Sequence, residues 1–206
     1  MARNFRGTTY YMEGTLNFKT KTKEGLSVTK GTVKIARRGD NESEYIKGEY
    51  TVRGQKMTGE MFLFSFLGGK QYTVCMRSEQ TQDKWMCFTM PGNMGENMKE
   101  STGGNPGDRK DTWEEKKNLF TYEGVKTIHG VAMHCFHAQY TDGGKNVEER
   151  ICFDAATLQF RYWWQHTTTS EGFHEGEFFV EKVTFNPPDS MFHVPAPPQS
   201  FPGYGG

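Results

Sequence analysis

Several signatures that would assign this chain to a functional class are missing from its sequence. Its 206 residues contain 25 acidic and 25 basic side chains, so no excess of positive charge is available to attract nucleic acid. No apolar run approaches the roughly 20 residues of a membrane-spanning helix. Neither a Gly-x-Ser-x-Gly nucleophile turn nor a phosphate-binding loop is present. We therefore expect a non-catalytic protein without a cofactor and without a nucleic-acid partner.

Spacings typical of zinc sites are absent as well. No CxxC or HxxxH motif occurs, and the three histidines nearest in sequence to Cys135 do not form a compact ligand set. On one continuous strand His129 and His137 would face the same side as Cys135, whereas His134 would face the opposite side. We expect no bound metal from these residues.

Methionine is the one soft ligand that recurs regularly. Met86, Met90, Met94 and Met98 follow one another at intervals of four residues. Clustered thioethers can bind Cu(I), and flexible methionines can also cover an apolar cavity. The proline and glycines between them would break a helix, so the four need not share a face. Handling of Cu(I) by this series is the weakest of the functional hypotheses.

The composition favours a β protein. Hydrophobic residues are only 34% of the chain, yet aromatic residues are 14%, which indicates a core of aromatic side chains on strands rather than a leucine-rich helical core. The 24 glycines are scattered, as many short turns require. The length fits one domain, because roughly 100–200 residues per domain is usual.

Four cysteines form two couples within strand-like sequence. Cys75 and Cys87 lie at matching distances on either side of one polar stretch, and Cys135 and Cys152 do the same around another. In two hairpins each couple would face across the ladder, with Cβ atoms about 4.5–5.5 Å apart, close to what a disulfide needs. We favour two disulfides over four buried free thiols. Disulfides would place the protein outside the cytoplasm, and we expect the natural precursor to carry a signal segment absent here.

Alternation of apolar and polar residues predicts a succession of antiparallel strands with one buried face each. The segment 61–67 carries apolar residues on both faces and must therefore be covered on both sides. One helix is predicted over residues 111–120. The predicted strands are 9–18, 26–36, 44–52, 61–67, 71–75, 84–88, 126–141, 147–153, 159–168 and 172–185.

These segments predict a mostly β fold: a strongly curved antiparallel sheet or incomplete barrel of about nine or ten strands, with one or few helices on its concave side. Residues 1–194 would form this single domain. Residues 195–206, rich in proline and glycine, would be a disordered or extended tail.

The C-terminal quarter resembles the LolA-like superfamily, which includes the lipoprotein carrier LolA, the receptor LolB and the LppX and LprG lipoproteins. An Asp-x-x-Thr turn begins at Asp154, and a long hairpin follows it. The chain then reaches an Asn-Pro corner at Asn186 and an Asp-x-x-Phe-x-x-Pro segment that begins at Asp189. The rest of the chain resembles the superfamily only in strand order.

The resemblance implies a half-barrel wrapped over helices, with a hydrophobic cavity for acyl chains or lipidated partners. Fold alone does not give function, and the superfamily also contains an enzyme of pigment biosynthesis. The chain departs from the carriers in three ways. It has one clear helix where they have more, no N-terminal cysteine for a lipid anchor, and two disulfide hairpins that the carrier lacks.

Two functional hypotheses of different classes follow. The first is an extracytoplasmic carrier or sensor that holds a lipid or other apolar ligand in the concave face, with residues 91–107 as its lid. The second is a structural subunit of a cell-surface layer or filament, which self-associates through sheet edges or through the tail. The side chains expected to line the cavity are Phe62, Phe64, Phe66, Met86, Phe88, Met90, Trp113, Phe120, Tyr162 and Trp164.

Overall fold

A computed structural model describes residues 9–23, 25–52, 54–66, 71–91 and 117–200 of the chain. Its secondary structure is almost entirely β. Short 3-10 helices span Glu79–Thr81, Lys117–Leu119 and Asp189–Phe192, and the described residues contain no α-helix. The strands are β1 Tyr10–Thr22, β2 Gly25–Arg38, β3 Asn41–Val52, β4 Gln55–Phe66, β5 Gln71–Ser78, β6 Met86–Pro91, β7 Thr121–Ile128, β8 Val131–Asp142, β9 Lys145–Asp154, β10 Phe160–Thr169, β11 Gly172–Thr184 and β12 Gln199–Ser200.

All twelve strands belong to one sheet, in the order β12-β6-β5-β4-β3-β2-β1-β11-β10-β9-β8-β7. The first six strands extend outward from β1, and β7 to β11 return from the other end until β11 pairs with β1. The outermost strands β12 and β7 do not pair with each other, so the sheet stays open. The predicted mostly β, strongly curved antiparallel sheet is confirmed, with twelve strands rather than nine or ten.

The prediction of a single strand over residues 126–141 is wrong. A two-residue turn at His129 and Gly130 divides this stretch into β7 and β8. Both turn residues have positive φ, +50° at His129 and +78° at Gly130, as the tight turns that match the twist of a hairpin require. His-Gly is not one of the common pairs for such turns, and therefore the sequence signal was weak. His129 consequently does not belong to the alternation that includes Cys135.

The sheet has two faces, because alternate residues on each strand point to opposite sides. We call concave the face that carries Gly31, Gly48 and Gly59, and convex the face that carries the four cysteines. Gly31 and Gly48 lie directly opposite each other on β2 and β3. A Cβ atom on Gly31 would come within 2.2 Å of the carbonyl oxygen of Lys47. The backbone of the neighbouring strand is therefore unusually close on this face, and the sheet bends toward this face.

The largest core cluster lies on the concave face, where the bend brings side chains of the central strands together. Phe120 packs against this cluster from the segment that precedes β7. The helix predicted over residues 111–120 lies mostly outside the described residues, and its last part is the 3-10 helix Lys117–Leu119. The buried members of the cluster are Tyr10, Met12, Leu16, Val33, Ile35, Ile46, Ile151, Trp163, Phe178 and Val180.

The convex face of β1 to β6 is covered by the chain that follows β11, here called the C-terminal segment, residues 186–200. Met191 packs on Tyr11 and Ala36, and Val194 and Ala196 pack on the cluster around the fully buried Phe64. The segment ends as β12, which pairs in parallel with β6. Part of the predicted tail therefore joins the sheet. Residues 61–66 of β4, the described part of the two-faced segment, are buried or partly buried on both sides, as their sequence predicts.

Both predicted disulfides are present, Cys75–Cys87 between β5 and β6 and Cys135–Cys152 between β8 and β9. In each couple the two cysteines are directly opposite in the ladder, with Cα atoms 4.0 Å and 4.2 Å apart. Each bond lies on the convex face and joins the second and third strands from one edge of the sheet. The two bonds therefore fix the register of the outer hairpins, where fewer strands contribute to packing.

Substitution of the bend glycines tests how the sheet acquires its curvature. A Cβ atom on Gly48 would lie 2.3 Å from the carbonyl oxygen of Lys30, whereas one on Gly59, directly opposite on β4, would have 3.2 Å to its nearest atom. Gly48→Ala should lower the free energy of unfolding by about 3 kcal/mol or more, and Gly59→Ala by about 1 kcal/mol or less. Urea unfolding followed by circular dichroism measures both. Equal losses for the two variants would contradict this account of the bend.

Removal of the disulfides tests their contribution to stability. The bonds join residues 12 and 17 positions apart, and each should contribute about 3 kcal/mol by restricting the unfolded chain. The variants Cys75→Ala/Cys87→Ala and Cys135→Ala/Cys152→Ala should therefore unfold at clearly lower urea concentrations than the wild type. As a control, dithiothreitol should shift the wild-type midpoint more than that of either variant. A wild-type midpoint that does not respond to dithiothreitol would contradict the prediction.

Candidate functional site

A row of residues without large side chains crosses the concave face of β2 to β5. Gly31, Gly48, Gly59 and Ser78 follow one another as directly opposite partners on these four strands. A Cβ atom on Gly31 or Gly48 would lie within 2.3 Å of backbone, whereas one on Gly59 would have its nearest neighbour, the Arg77 carbonyl oxygen, at 3.2 Å, so the backbone crowds this face less at Gly59. A cleft of about 490 Å³ lies there, with Gly59 and Ser78 in its lining. The glycine at position 59 therefore provides the floor of a cavity.

The walls of this cleft come from the residues two positions away on either side of the glycine row. Tyr50 and Met57, a directly opposite pair on β3 and β4, stand on one side. Met61 and Met76, a directly opposite pair on β4 and β5, stand on the other. Met57 is 37% exposed and Met76 is 44% exposed, so apolar thioether side chains meet solvent within a concave surface. Such a surface can bury part of an apolar molecule.

Polar residues also line the cleft beside the methionines. Burial raises the pKa of the Tyr50 phenol, which therefore remains a neutral hydrogen-bond donor at physiological pH. Gln80, at the end of the cleft, donates a hydrogen bond from Nε2 to the Met57 sulfur over 3.6 Å. The remaining lining residues are Glu49, Lys56, Thr58, Glu60, Arg77 and Glu79.

A partly exposed ion pair on the convex side supports the floor of the cleft. Arg77 Nη2 donates to both carboxylate oxygens of Glu60 at 2.7 Å, and the Tyr45 hydroxyl donates to Glu60 Oε2 at 2.8 Å. The Arg77 guanidinium also lies 4.9 Å from the centre of the Trp85 ring. Burial opposes ionisation of Glu60, yet the hydrogen bonds from Arg77 and Tyr45 outweigh it, so the pKa of this carboxyl is below its ordinary value. This network ties β3, β4 and β5 together beneath Gly59.

The structure divides the residues predicted to line a cavity between the two faces of the sheet. Phe62, Phe64 and Phe66 lie on the convex face, where they pack around the first disulfide under the C-terminal segment. Tyr162 and Trp164 are also convex, beside the second disulfide. The concave members are Met86, Phe88, Met90 and Phe120. Trp113 and the proposed lid, residues 91–107, lie outside the described residues apart from Pro91 at the end of β6.

None of the nine described residues from that set lines the cleft at Gly59. Sequence reasoning missed Tyr50, Met57, Met61 and Met76, which form its walls. A signal was present, because Met57, Gly59 and Met61 alternate along one strand and therefore share a face. What the sequence does not supply is the register that puts Gly59 opposite Gly48 and Ser78.

The motifs that carry the LolA-like resemblance have defined structural roles. The Asp154 carboxylate accepts hydrogen bonds from the backbone N–H groups of Thr157 at 2.9 Å and Ala156 at 3.0 Å, which lower its pKa and close the turn before β10. Farther on, Arg38 holds the Asp-x-x-Phe segment. It pairs with Asp189 at 2.8 Å and stacks over the Phe192 ring at 4.8 Å. Both motifs therefore act in turn formation and anchoring.

The described part of the chain lacks both a metal-binding cluster of histidine, cysteine or acidic side chains and a membrane-spanning helix. Within it, no group of three or more histidine, cysteine, aspartate or glutamate side chains is placed to hold a metal ion. No helix among the described residues has the length and apolar character needed to cross a bilayer.

Comparison with known proteins gives distant structural likenesses. No family model and no curated protein matches the sequence. A DUF1329 family protein from Desulfovibrio piger matches with a TM-score of 0.38 and 8% identity, over 91% of this chain and 90% of that chain. An outer membrane lipoprotein-sorting protein domain from Vibrio parahaemolyticus matches with a TM-score of 0.34 and 9% identity, over 93% of this chain and 92% of that chain. At such TM-scores neither likeness carries an argument about function.

The ion pair beneath the cleft makes a pH-dependent contribution to stability. The folded-state pKa of Glu60 is below its unfolded value of about 4.3, so its contribution is present above that pH and is lost as the pH falls through the folded pKa. Glu60→Gln should lower the free energy of unfolding by about 1 kcal/mol at neutral pH. The difference from wild type should shrink toward zero in strong acid. Urea unfolding at neutral and acid pH measures it, and a constant difference would contradict the assignment.

Proposed function

We propose that this protein is a non-catalytic binding protein that holds an apolar ligand, such as a lipid acyl chain, in the concave cleft at Gly59. The single observation that carries the proposal is the cleft itself, about 490 Å³ in volume and walled by Tyr50 and three methionines. Cavities that take small ligands are typically about 300–1,000 Å³ and mostly apolar, with few polar groups. A carrier or a sensor is the role that this arrangement fits best.

The chemistry of the walls favours a flexible apolar ligand over a rigid polar one. Methionine side chains are unbranched and polarizable, so they adapt to chains of different shape. Burial of apolar surface contributes about 25 cal/mol per Å², from which the costs of immobilising the ligand and the side chains are subtracted. The Tyr50 hydroxyl and Gln80 could orient a polar head at one end, since both line the same cleft.

The two disulfides support an extracytoplasmic location for this activity. Disulfides persist in oxidising compartments and are rare in the cytosol. Cys75–Cys87 and Cys135–Cys152 together use all four cysteines of the chain. Transfer or sensing of lipid outside the cytoplasm is therefore the setting that we propose, with a lipid or a lipidated protein as the partner.

A charge placed in the cleft wall tests the proposal. Met76→Glu introduces a carboxylate at a half-exposed position, so the fold should tolerate it. An apolar ligand in the cleft would bury this charge, which should oppose binding. We expect the affinity for cis-parinaric acid, a naturally fluorescent fatty acid, to fall about tenfold or more. Titration followed by fluorescence measures the affinity directly.

Leu26→Glu is the matched control, because Leu26 is similarly exposed but lies on the convex face near the β1–β2 turn. This variant should bind cis-parinaric acid as the wild type does. The proposal fails if the wild type shows no saturable binding, or if both variants lose affinity equally. Native mass spectrometry of the wild-type protein from its own host would then identify the class of ligand that co-purifies.

A further inference from the structure

Three methionines form a continuous row across the outer strands of the concave face. Met61 on β4 is directly opposite Met76 on β5, and Met76 is directly opposite Met86 on β6. Met76 and Met86 are 44% and 45% exposed, and Met61 is partly buried. The row shares only Met86 with the methionine series seen in the sequence. In that series Met90 is buried among Tyr72, Leu63 and Val74, and Met94 and Met98 lie outside the described residues.

The adjacent disulfide holds two members of this row in place. Cys75 and Cys87 are the preceding pair in the same ladder, with Cα atoms only 4.0 Å apart. Because β5 and β6 are covalently joined there, the next pair, Met76 and Met86, cannot slip out of register. The disulfide lies on the convex face, so it fixes the methionine pair without occupying the surface that the sulfurs face.

The spacing of the row allows its sulfurs to converge. Directly opposite residues have Cβ atoms about 4.5–5.5 Å apart, and a methionine sulfur lies two bonds beyond Cβ on a flexible stem. Met76 is the central residue and has a neighbour on each side. Since the sheet bends toward the concave face, side chains on that face are drawn closer together than on a flat sheet. Met57 is excluded, because four residues of strand separate it from Met61 by about 13 Å.

The chemistry of these donors selects one class of ion. All four cysteines are in disulfides, so thioethers are the soft sulfur ligands that the chain can offer. A thioether is neutral, binds without losing a proton and prefers soft metal ions. Uncharged donors also favour a monovalent ion over a divalent one, because less charge has to be taken from water.

From this arrangement we propose that Met61, Met76 and Met86 form a binding site for one soft monovalent cation, Cu(I) or its analogue Ag(I). Met76 is the central ligand, and Met61 and Met86 complete a three-sulfur set from the two neighbouring strands. The ion sits at the edge of the cleft, because Met61 and Met76 also belong to the cleft wall. The site requires the oxidised form of the Cys75–Cys87 hairpin, which keeps β6 beside β5.

Replacement of thioether by hydrocarbon tests the site without altering its shape. Met76→Leu and Met86→Leu keep the apolar surface and remove one sulfur each. The wild type should bind one Ag(I) per chain by isothermal titration calorimetry, and each variant should bind it about tenfold or more weakly, since even the outer-shell partners of a metal typically contribute that much. Competition for Cu(I) against bathocuproine disulfonate, with ascorbate as the reductant, should give the same order of affinities.

Met57→Leu is the control, because Met57 is also exposed in the cleft wall but lies outside the row. Its affinity for Ag(I) should equal that of the wild type. In spectra of protein labelled with ¹³C at the methionine methyl groups, Ag(I) should shift the signals of Met61, Met76 and Met86 and leave that of Met57 in place. Absence of wild-type binding, unchanged affinity in Met76→Leu, or an equal loss in Met57→Leu would each overturn the proposal.

The test of the cation site and the test of the apolar cleft can fail independently of each other. Met86 belongs to the methionine row but does not line the cleft, so Met86→Leu should still bind cis-parinaric acid as the wild type does even where it has lost Ag(I). If cis-parinaric acid binds and Ag(I) does not, the cation site is refuted and the apolar cleft stands. If Ag(I) binds and cis-parinaric acid does not, the cleft proposal fails and the methionine row remains a metal site.

Discussion

A single open sheet buries a core only when it bends, and in this protein the bend depends on backbone meeting backbone at Gly31 and Gly48. Side chains cannot be placed there, since a Cβ atom on either residue would overlap a neighbouring carbonyl group. One strand farther out, at Gly59, the neighbouring backbone is less close, with the Arg77 carbonyl oxygen 3.2 Å from where a Cβ atom would stand, and the row becomes the floor of a cleft. Curvature and cavity therefore share one cause, and any change in the curvature would also change the cavity.

The two faces of the sheet are used for different purposes. The convex face of the first six strands is stabilised by the C-terminal segment, by the ion pair of Glu60 with Arg77 and by the first disulfide. The concave face is filled at the centre by large apolar side chains, and on β5 and β6 it is open only at the end where Met76 and Met86 meet solvent. Rigid support behind an adaptable surface is a favourable arrangement for binding, because ligand contacts then cost little reorganisation of the backbone.

Local sequence patterns predicted much of the fold and little of the candidate site. Strand alternation, the two-faced strand β4 and both cysteine pairs are short-range signals, and each is confirmed. The turn at His129 and Gly130 was missed, because only a few residue pairs predict a tight turn reliably and His-Gly is not one of them. The aromatic strands were assigned to a cavity that the structure divides between two faces. Which face stays open depends on the register of β3 with β4 and on the path of the C-terminal segment, and both are tertiary properties.

The pairing of β1 with β11 has a consequence for the order in which the molecule can be assembled on the ribosome. β1 is synthesised first, yet one of its two hydrogen-bonding partners is among the last strands to emerge, with Tyr11 opposite Thr184. Until then, one edge of β1 in the nascent chain has no partner strand. The phenylalanines of β4 are also uncovered, because the C-terminal segment that packs on them is synthesised after β11. Contacts between residues so distant in sequence slow folding and prolong the exposure of aggregation-prone apolar surface. Completion of the central sheet therefore has to wait until β11 has been synthesised.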